Sequence, residues 1–331
     1  MGNLFGKTLL IIGVLVGLGV GQVMAIDVDK LIIIAHRGAS ALYPEHTLEG
    51  YQKAIELGAD FIEPDLVISK DGVLFARHDI YLSTTTDVAE HPEFADRKSF
   101  ISKLGRNDWL ITDFTLAELK TLRAIQARDG RDKSHDGKYQ IPTFAEIINL
   151  AKSHNQKTGE NVGVYPETKQ PEFYKDLGFD FATLLLDDLS AGGAAGGELP
   201  VFIQSFGIDI LVELAPLTQI PLIYLLDNQS QSSAIAEIKQ YAGILTGIGP
   251  AKTMLMADDG AASQLMLAAI ELGLKTHPWT FRDDDVGEGF ENADDEYLSY
   301  MRLGIDGLFT DFTDTGVRLR QQFNNEKRDG K

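Results

Sequence analysis

The sequence predicts an α/β chain folded as an eight-stranded parallel barrel of the TIM (β/α)8 class, with an extra antiparallel hairpin strand and a small inserted subdomain. Three observations predict it. Short apolar runs alternate with longer amphipathic segments along the 331 residues, the rhythm of a parallel sheet with helical crossovers. Of nine strand candidates, two lie too close together for a crossover, which leaves eight for a barrel. Polar residues cluster at the ends of the apolar runs, where parallel barrel strands open onto a site.

The strand candidates are residues 31–35, 61–68, 73–77, 163–166, 200–204, 221–226, 243–248, 274–279 and 304–309. Helix-like segments fill most of the gaps, at 47–57, 143–154, 172–189, 233–241, 261–272 and 293–303. Thr143 with Glu146 makes a capping box, whereas Thr47 offers a weaker cap. Only Ser69-Lys70-Asp71-Gly72 separates the second run from the third, and Asp-Gly is a strong hairpin signal. The run 73–77 is therefore expected to return antiparallel beside the second barrel strand. A two-residue Asp71-Gly72 turn would set Ile68 opposite Phe75 and Asp65 opposite His78.

From about residue 80 to 140 the rhythm breaks. The stretch is rich in Asp, Arg, Lys and Thr, with one helix-like piece at 115–124, and is expected to form the subdomain at one end of the barrel. The barrel domain is expected to span 26–323, with 324–331 a disordered tail.

Composition excludes several functions. Thirty Lys+Arg face 49 Asp+Glu, a net charge of -19, and a chain so acidic is a poor partner for a nucleic-acid backbone. The absence of Cys excludes a thiol nucleophile, thiolate-bound zinc, disulfides and an N-terminal Cys lipid anchor. Residues 1–25 hold Lys7, an apolar run at 9–20 and the small-residue ending Val23-Met24-Ala25, the pattern of a secretory signal. The run is shorter than the roughly 20 residues of a bilayer span. The mature protein is expected in a bacterial periplasm or outside the cell, with no stable membrane span after cleavage. Its oligomeric state leaves no mark on the sequence.

Three polar clusters carry the chemistry. His36-Arg37-Gly38 ends the first apolar run. Glu63-Pro64-Asp65 lies in the second, with His78-Asp79 after the return strand; Glu63 and Asp65 share a strand face. Glu167-Thr168-Lys169 ends the next strand, again with Glu167 and Lys169 on one face. Glu63, Asp65 and Glu167 make an all-oxygen site, suited to a hard cation such as Ca²⁺, with Mg²⁺ the other candidate. Arg37 and Lys169 beside a cation describe a phosphate pocket. With the carboxylates committed to the metal, His36 and His78 are left for proton transfer. Gln204 and Trp279, at the ends of two further strands, are candidates for a polar contact and an apolar wall. His46, His91, His135 and His154 read as solvated residues of loops, the insertion or a helix.

The motifs His36-Arg37-Gly38-Ala39-Ser40, Pro44-Glu45-His46-Thr47, Gly58 through Asp65, Lys70-Asp71-Gly72, His78-Asp79, Pro142-Thr143-Phe144, Glu167-Thr168-Lys169, Gln204-Ser205-Phe206, His277 through Phe281 and Gly304-Ile305-Asp306-Gly307 together resemble the glycerophosphodiester phosphodiesterase family. The signal pattern and the long insertion are similar to its periplasmic, Ca²⁺-using branch. The resemblance implies hydrolysis of a small-molecule glycerophosphodiester to sn-glycerol 3-phosphate and an alcohol. It implies His36 and His78 as general acid and base, Glu63, Asp65 and Glu167 as metal ligands, and Arg37 and Lys169 as phosphate contacts. It places Glu45 near the metal or the glycerol moiety, with His46 where most members have Asn, a position that mainly shapes the loop. Three other readings stay open at this point: a lysophospholipase D, a carboxylate-pair glycosidase built on Glu63 or Asp65 with Glu167, and a binding protein without turnover.

Overall fold

The computed structural model describes residues 31–194 and 197–330, so the expected signal at 1–25 lies outside the described residues. Among the described residues, eight parallel strands close on themselves. In chain order they are Ile32–His36; Phe61–Glu63 continued by Asp65–Ile68; Gly163–Val164 continued by Glu167–Thr168; Ile203–Ser205; Leu222–Leu226; Gly247–Pro250; Lys275–Thr276; and Gly307–Thr310. The first seven pair in parallel, each with the next. The seam is closed by Ile32 beside Gly307 and by a bridge between Phe281 and Thr310. Pro64 interrupts the second strand because it has no N–H to give the ladder. Its carbonyl still accepts from Glu167 N at 2.9 Å, so the barrel wall continues across the break.

The barrel interior explains how the chain aims its polar residues. Ile32, Ile34, Phe61, Tyr165, Phe202, Ile223 and Phe309 form one buried cluster, with Trp279 packed against it. The Phe61 ring meets Tyr165 edge-on at 5.9 Å, and Tyr165 meets Phe309 edge-on at 5.1 Å. Gly163 makes room for this packing: a Cβ there would lie 2.3 Å from the Phe61 ring. Side chains on a strand repeat their direction every two residues. His36, Glu63, Glu167, Gln204 and Asp311 each stand two residues beyond an inward apolar residue, namely Ile34, Phe61, Tyr165, Phe202 and Phe309. The apolar plug thus sets a polar layer at the C-terminal mouth.

Helices cover the outside, and several expectations shift. The Thr143 capping box forms as expected and opens helix Phe144–Thr158, and Thr47 caps helix Leu48–Glu56. The helix expected at 172–189 is two helices, Pro171–Asp176 and Phe181–Ala191, separated by a turn at Gly178 with φ 86°. The strand expected at 243–248 begins at Gly247. Helix Ile208–Leu214, absent from the sequence reading, covers the strand after it. The final helix, Thr313–Arg328, runs through most of the segment expected to be disordered, and Arg302 pairs with Glu326 at 2.8 Å. The helix-like piece expected at 115–124 is only Leu116–Leu119.

The return strand Leu74–Ala76 is antiparallel to Asp65–Ile68, but its register corrects the expected one. Ile68 faces Leu74, Val67 faces Phe75 and Leu66 faces Ala76, so Arg77 rather than His78 stands opposite Asp65, with Arg77 N donating to Asp65 O at 2.9 Å. Ser69 is the cause. Its N–H donates to Val73 O at 3.0 Å and its hydroxyl accepts from Val73 N at 3.0 Å. The turn therefore holds three residues, with Gly72 at φ 80°; this is the three-residue hairpin that needs glycine in the left-handed region.

Candidate functional site

The polar layer lines a cavity of about 300 Å³ that includes His36, Arg37, Glu63, His78, Glu167, Lys169, Gln204, Phe206, Asp227 and Trp279. Strand register assembles it. His36 pairs with Glu63, and Asp65, Glu167 and Gln204 form one row across three strands.

Carboxylate oxygens of Glu63, Asp65 and Glu167 lie within 4.8 Å of one another, all three residues buried. Burial pushes the Glu63 carboxyl well above its usual range, and the neighbouring Asp65 and Glu167 push it further. Glu167 rises to about 8 through burial and the Asp65 charge, with Lys169 opposing. Asp65 goes the other way: Lys169 and Arg37 overcome its burial and hold it well below the ordinary range. Three acids in so small a space repel one another unless a cation lies among them. The donor set is all oxygen, as hard cations prefer. Gln204 gives its amide N–H to Glu63 Oε1 at 3.1 Å, while its own buried Oε1 has no hydrogen-bond partner among the described residues. The cluster therefore fits a metal ion.

Lys169 and Arg37 stand beside the acids. Lys169 Nζ lies 2.7 Å from Glu167 and 3.5 Å from Asp65, and Arg37 Nε lies 3.1 Å from Asp65. Arg37 is a non-glycine residue at φ 61°, a conformation held only where the surroundings impose it. Its N–H is fixed by both the carbonyl and the carboxylate of Glu63. The following Gly38, at φ 86°, passes so close to the next helix that a Cβ would meet Gly50 at 2.9 Å. Glu45 sits behind Arg37 at 3.0 Å and does not line the cavity. Burial would raise its carboxyl, but the guanidinium brings it down to about 2.

His36 and His78 differ in surroundings. His36 is buried, and its Nδ1 lies 2.6 Å from Asp311 Oδ1. Burial, aided by Arg37, lowers His36 to about 4 despite the pull of Asp311. Asp311 also takes Arg131 at 2.7 Å and Arg282 at 2.8 Å, and these cations with His36 hold it ionised against its burial. His78 is more open, and its Nδ1 lies 3.0 Å from Asp79. Although not opposite Asp65, it reaches the same cavity.

Several residues of the site lie outside the three sequence clusters. Asp311 stands two residues past inward Phe309, so strand alternation was the signal that pointed to it. Arg131 arrives from the insertion, whose Gln126 also donates to the carbonyls of Ser40 and Tyr43. Arg77 is fully buried and ties the carbonyls of Glu45, His46 and Thr85. His46 is a clear correction: expected at the surface, it is fully buried, with Nε2 at 3.0 Å from Asp65 and Nδ1 at 2.6 Å from the Tyr51 hydroxyl. It does more than shape a loop, because it helps fix a carboxylate of the acidic cluster. Trp279 lines the cavity, its Nε1 donating to Gly249 O at 2.8 Å.

Comparisons with known proteins agree with this geometry. The profile of the Glycerophosphoryl diester phosphodiesterase family matches residues 36–315. A glycerophosphodiester phosphodiesterase of Arabidopsis thaliana is 38% identical over 85% of this chain and 83% of its own length. One from Haemophilus influenzae is 33% identical over 88% and 90%. Among solved structures, an Oleispira antarctica phosphodiesterase in complex with the product sn-glycerol-3-phosphate superposes with a TM-score of 0.64 at 22% identity, covering 88% of this chain and 98% of that one. A Silicibacter pomeroyi protein described as a putative glycerophosphoryl diester phosphodiesterase gives 0.66 at 19%, covering 88% and 94%. With these matches over most of its length and a buried acidic cluster at the barrel mouth, the chain belongs to the glycerophosphoryl diester phosphodiesterase family.

Proposed function

We propose that this protein hydrolyses glycerophosphodiesters to sn-glycerol 3-phosphate and an alcohol, using a divalent cation and two histidines. The observation that carries the reading is the shared cavity: three clustered carboxyls, two cationic side chains and two imidazoles line or adjoin one space. A carboxylate-pair glycosidase would leave the imidazoles and cations without work, and family membership favours phosphodiester chemistry over it.

Glu63, Asp65 and Glu167 are the residues that would hold the cation, Ca²⁺ by preference for an exported protein. When bound, the cation supplies charge stabilisation to the phosphate's nonbridging oxygens. Arg37 and Lys169 add charge-assisted hydrogen bonds to the same oxygens. His36, whose Nδ1–H donates a hydrogen bond to Asp311, is left with an unprotonated Nε2 and acts as the general base on the attacking water, whose oxygen bonds to phosphorus as the bond to the leaving alcohol breaks. Asp311 then steadies the imidazolium that forms. His78, on the open side of the cavity, donates a proton to the leaving oxygen. Export is part of the proposal and rests on the signal pattern of residues 1–25 alone.

The test is release of sn-glycerol 3-phosphate from a panel of glycerophosphodiesters, with His36→Ala and His78→Ala beside the parent protein. Each variant should lose roughly 10²–10⁴-fold in turnover. Near-parental turnover in either would refute the two-histidine scheme.

A further inference from the structure

The barrel mouth has two unlike halves. His36, Glu63 and Glu167 stand on the first three strands. The ends of the fourth, fifth and seventh strands carry Phe206, Asp227 and Trp279 into the same cavity. The three share the inward parity of the site residues, lying two positions beyond Gln204, Leu225 and His277. They therefore form a rim one step above the carboxylates.

The chemistry of this rim is specific. Phe206 and Trp279 meet edge-on, with ring centroids 5.6 Å apart at 82°, and Phe206 remains 43% exposed. The Trp279 N–H is already given to Gly249 O, so the two rings offer π-faces and no hydrogen bond. Asp227 has no hydrogen-bond or ion-pair partner among the described residues and faces solvent. Lys169 Nζ lies 5.7 Å over the Phe206 ring, which places the aromatic wall next to the phosphate side of the cavity. A polyol arm needs several donors and acceptors, and these three side chains offer one carboxylate. An alkylammonium needs aromatic faces and a negative charge, and finds both.

We propose that Phe206, Trp279 and Asp227 form a subsite for a cationic head on the leaving alcohol, a quaternary ammonium of the choline type, so that the enzyme prefers positively charged diesters. The proposal rests on the phosphodiesterase reading above and adds which alcohol the site takes. The rim supplies a charge opposite to that of the phosphate pocket: Arg37 and Lys169 hold the anionic centre of the substrate, and the aromatic–acid rim holds its cationic end. A zwitterionic diester matches both halves at once.

The experiment compares two diesters of equal shape. One is sn-glycero-3-phosphocholine; the other is its uncharged isostere, in which 3,3-dimethylbutanol replaces choline. The parent protein should show kcat/KM higher for the charged diester by about tenfold. In Asp227→Asn and Phe206→Leu, both at exposed positions and checked for folding by circular dichroism, that ratio should fall to about threefold or less. Equal kcat/KM for the two diesters in the parent protein, or an unaltered ratio in both variants, would overturn the subsite. Failure to cleave either diester, with glycerophosphoglycerol also uncleaved, would instead overturn the phosphodiesterase reading, and the subsite with it.

Discussion

His36 Nδ1 and Asp311 Oδ1 lie 2.6 Å apart although 275 residues separate them in the chain. The first and last barrel strands are neighbours, pairing Ala35 with Thr310, so closure of the barrel itself creates the dyad. Asp311 is in turn clamped by Arg131 and Arg282. It fixes which nitrogen of His36 carries the proton, the condition for the other nitrogen to act as a base.

Asp311→Asn should therefore lower kcat by about 10²-fold or more, because the amide can present either face to the ring and no longer stabilises an imidazolium. KM for the diester should change little. Steady-state kinetics on glycerophosphocholine measure it, and parental kcat would show that the dyad is only structural.

The pH profile follows from the same pair. A general base works in its neutral form, and burial holds His36 to about 4 rather than the ordinary 6.5. With Ca²⁺ high enough to keep the acidic cluster filled, activity should thus persist into acid, and the acid limb of kcat/KM should bend near pH 4. An inflection at 6.5 or above that vanishes in His36→Ala would contradict the assignment of His36 as the buried base.

The acidic cluster makes a stability prediction in the chelated protein. An unfolded chain ionises Glu167 near 4.5, whereas the folded protein holds it protonated to about 8. A carboxyl raised in the folded state favours folding below its unfolded value, and that contribution is lost as pH rises toward 8. In EDTA, Tm should fall between pH 5 and pH 8, and added Ca²⁺ should raise Tm more at pH 8 than at pH 5. Glu167→Gln should flatten the pH slope. A Ca²⁺ shift equal at both pH values would argue against a cation among these carboxyls.

His78 is assigned to the leaving oxygen, so its importance should depend on the alcohol. His78→Ala should lose roughly 10²–10⁴-fold on a choline diester and far less on a p-nitrophenyl diester, whose leaving group needs no proton. Equal losses on both would place His78 elsewhere in the reaction.

His46 bonds both Asp65 and Tyr51. Partners that orient a metal ligand carry about 10–100-fold in metal affinity. His46→Ala should weaken Ca²⁺ binding within that range by calorimetry, and unchanged affinity would reduce His46 to a loop residue.

Much of this was legible because strand physics is local. Apolar runs ending in His36-Arg37, Glu63-Pro64-Asp65 and Glu167-Thr168-Lys169 reveal both the wall of the barrel and its mouth, since inward parity passes from Ile34, Phe61 and Tyr165 to the polar residues above them. The hairpin register was not legible, because it turned on one hydroxyl: Ser69 closes a three-residue turn and shifts every pairing by one position. His46 was misread because a loop position gives no periodicity to reveal burial. Arg131 and Arg282 reach Asp311 from the insertion and from a loop after the seventh strand, contacts that no local pattern encodes. Helix Thr313–Arg328 was absent from the sequence reading altogether, and its last turns, polar on every side, read as a disordered tail.

The most direct test of the central claim is sn-glycerol 3-phosphate release from glycerophosphocholine by the purified protein, measured before chelation, in EDTA, and after Ca²⁺ is returned, with Glu63→Gln alongside. EDTA should remove turnover and Ca²⁺ should restore it, and Glu63→Gln should lack it throughout. Full turnover in EDTA, or a Glu63→Gln variant as active as its parent, would contradict the central claim.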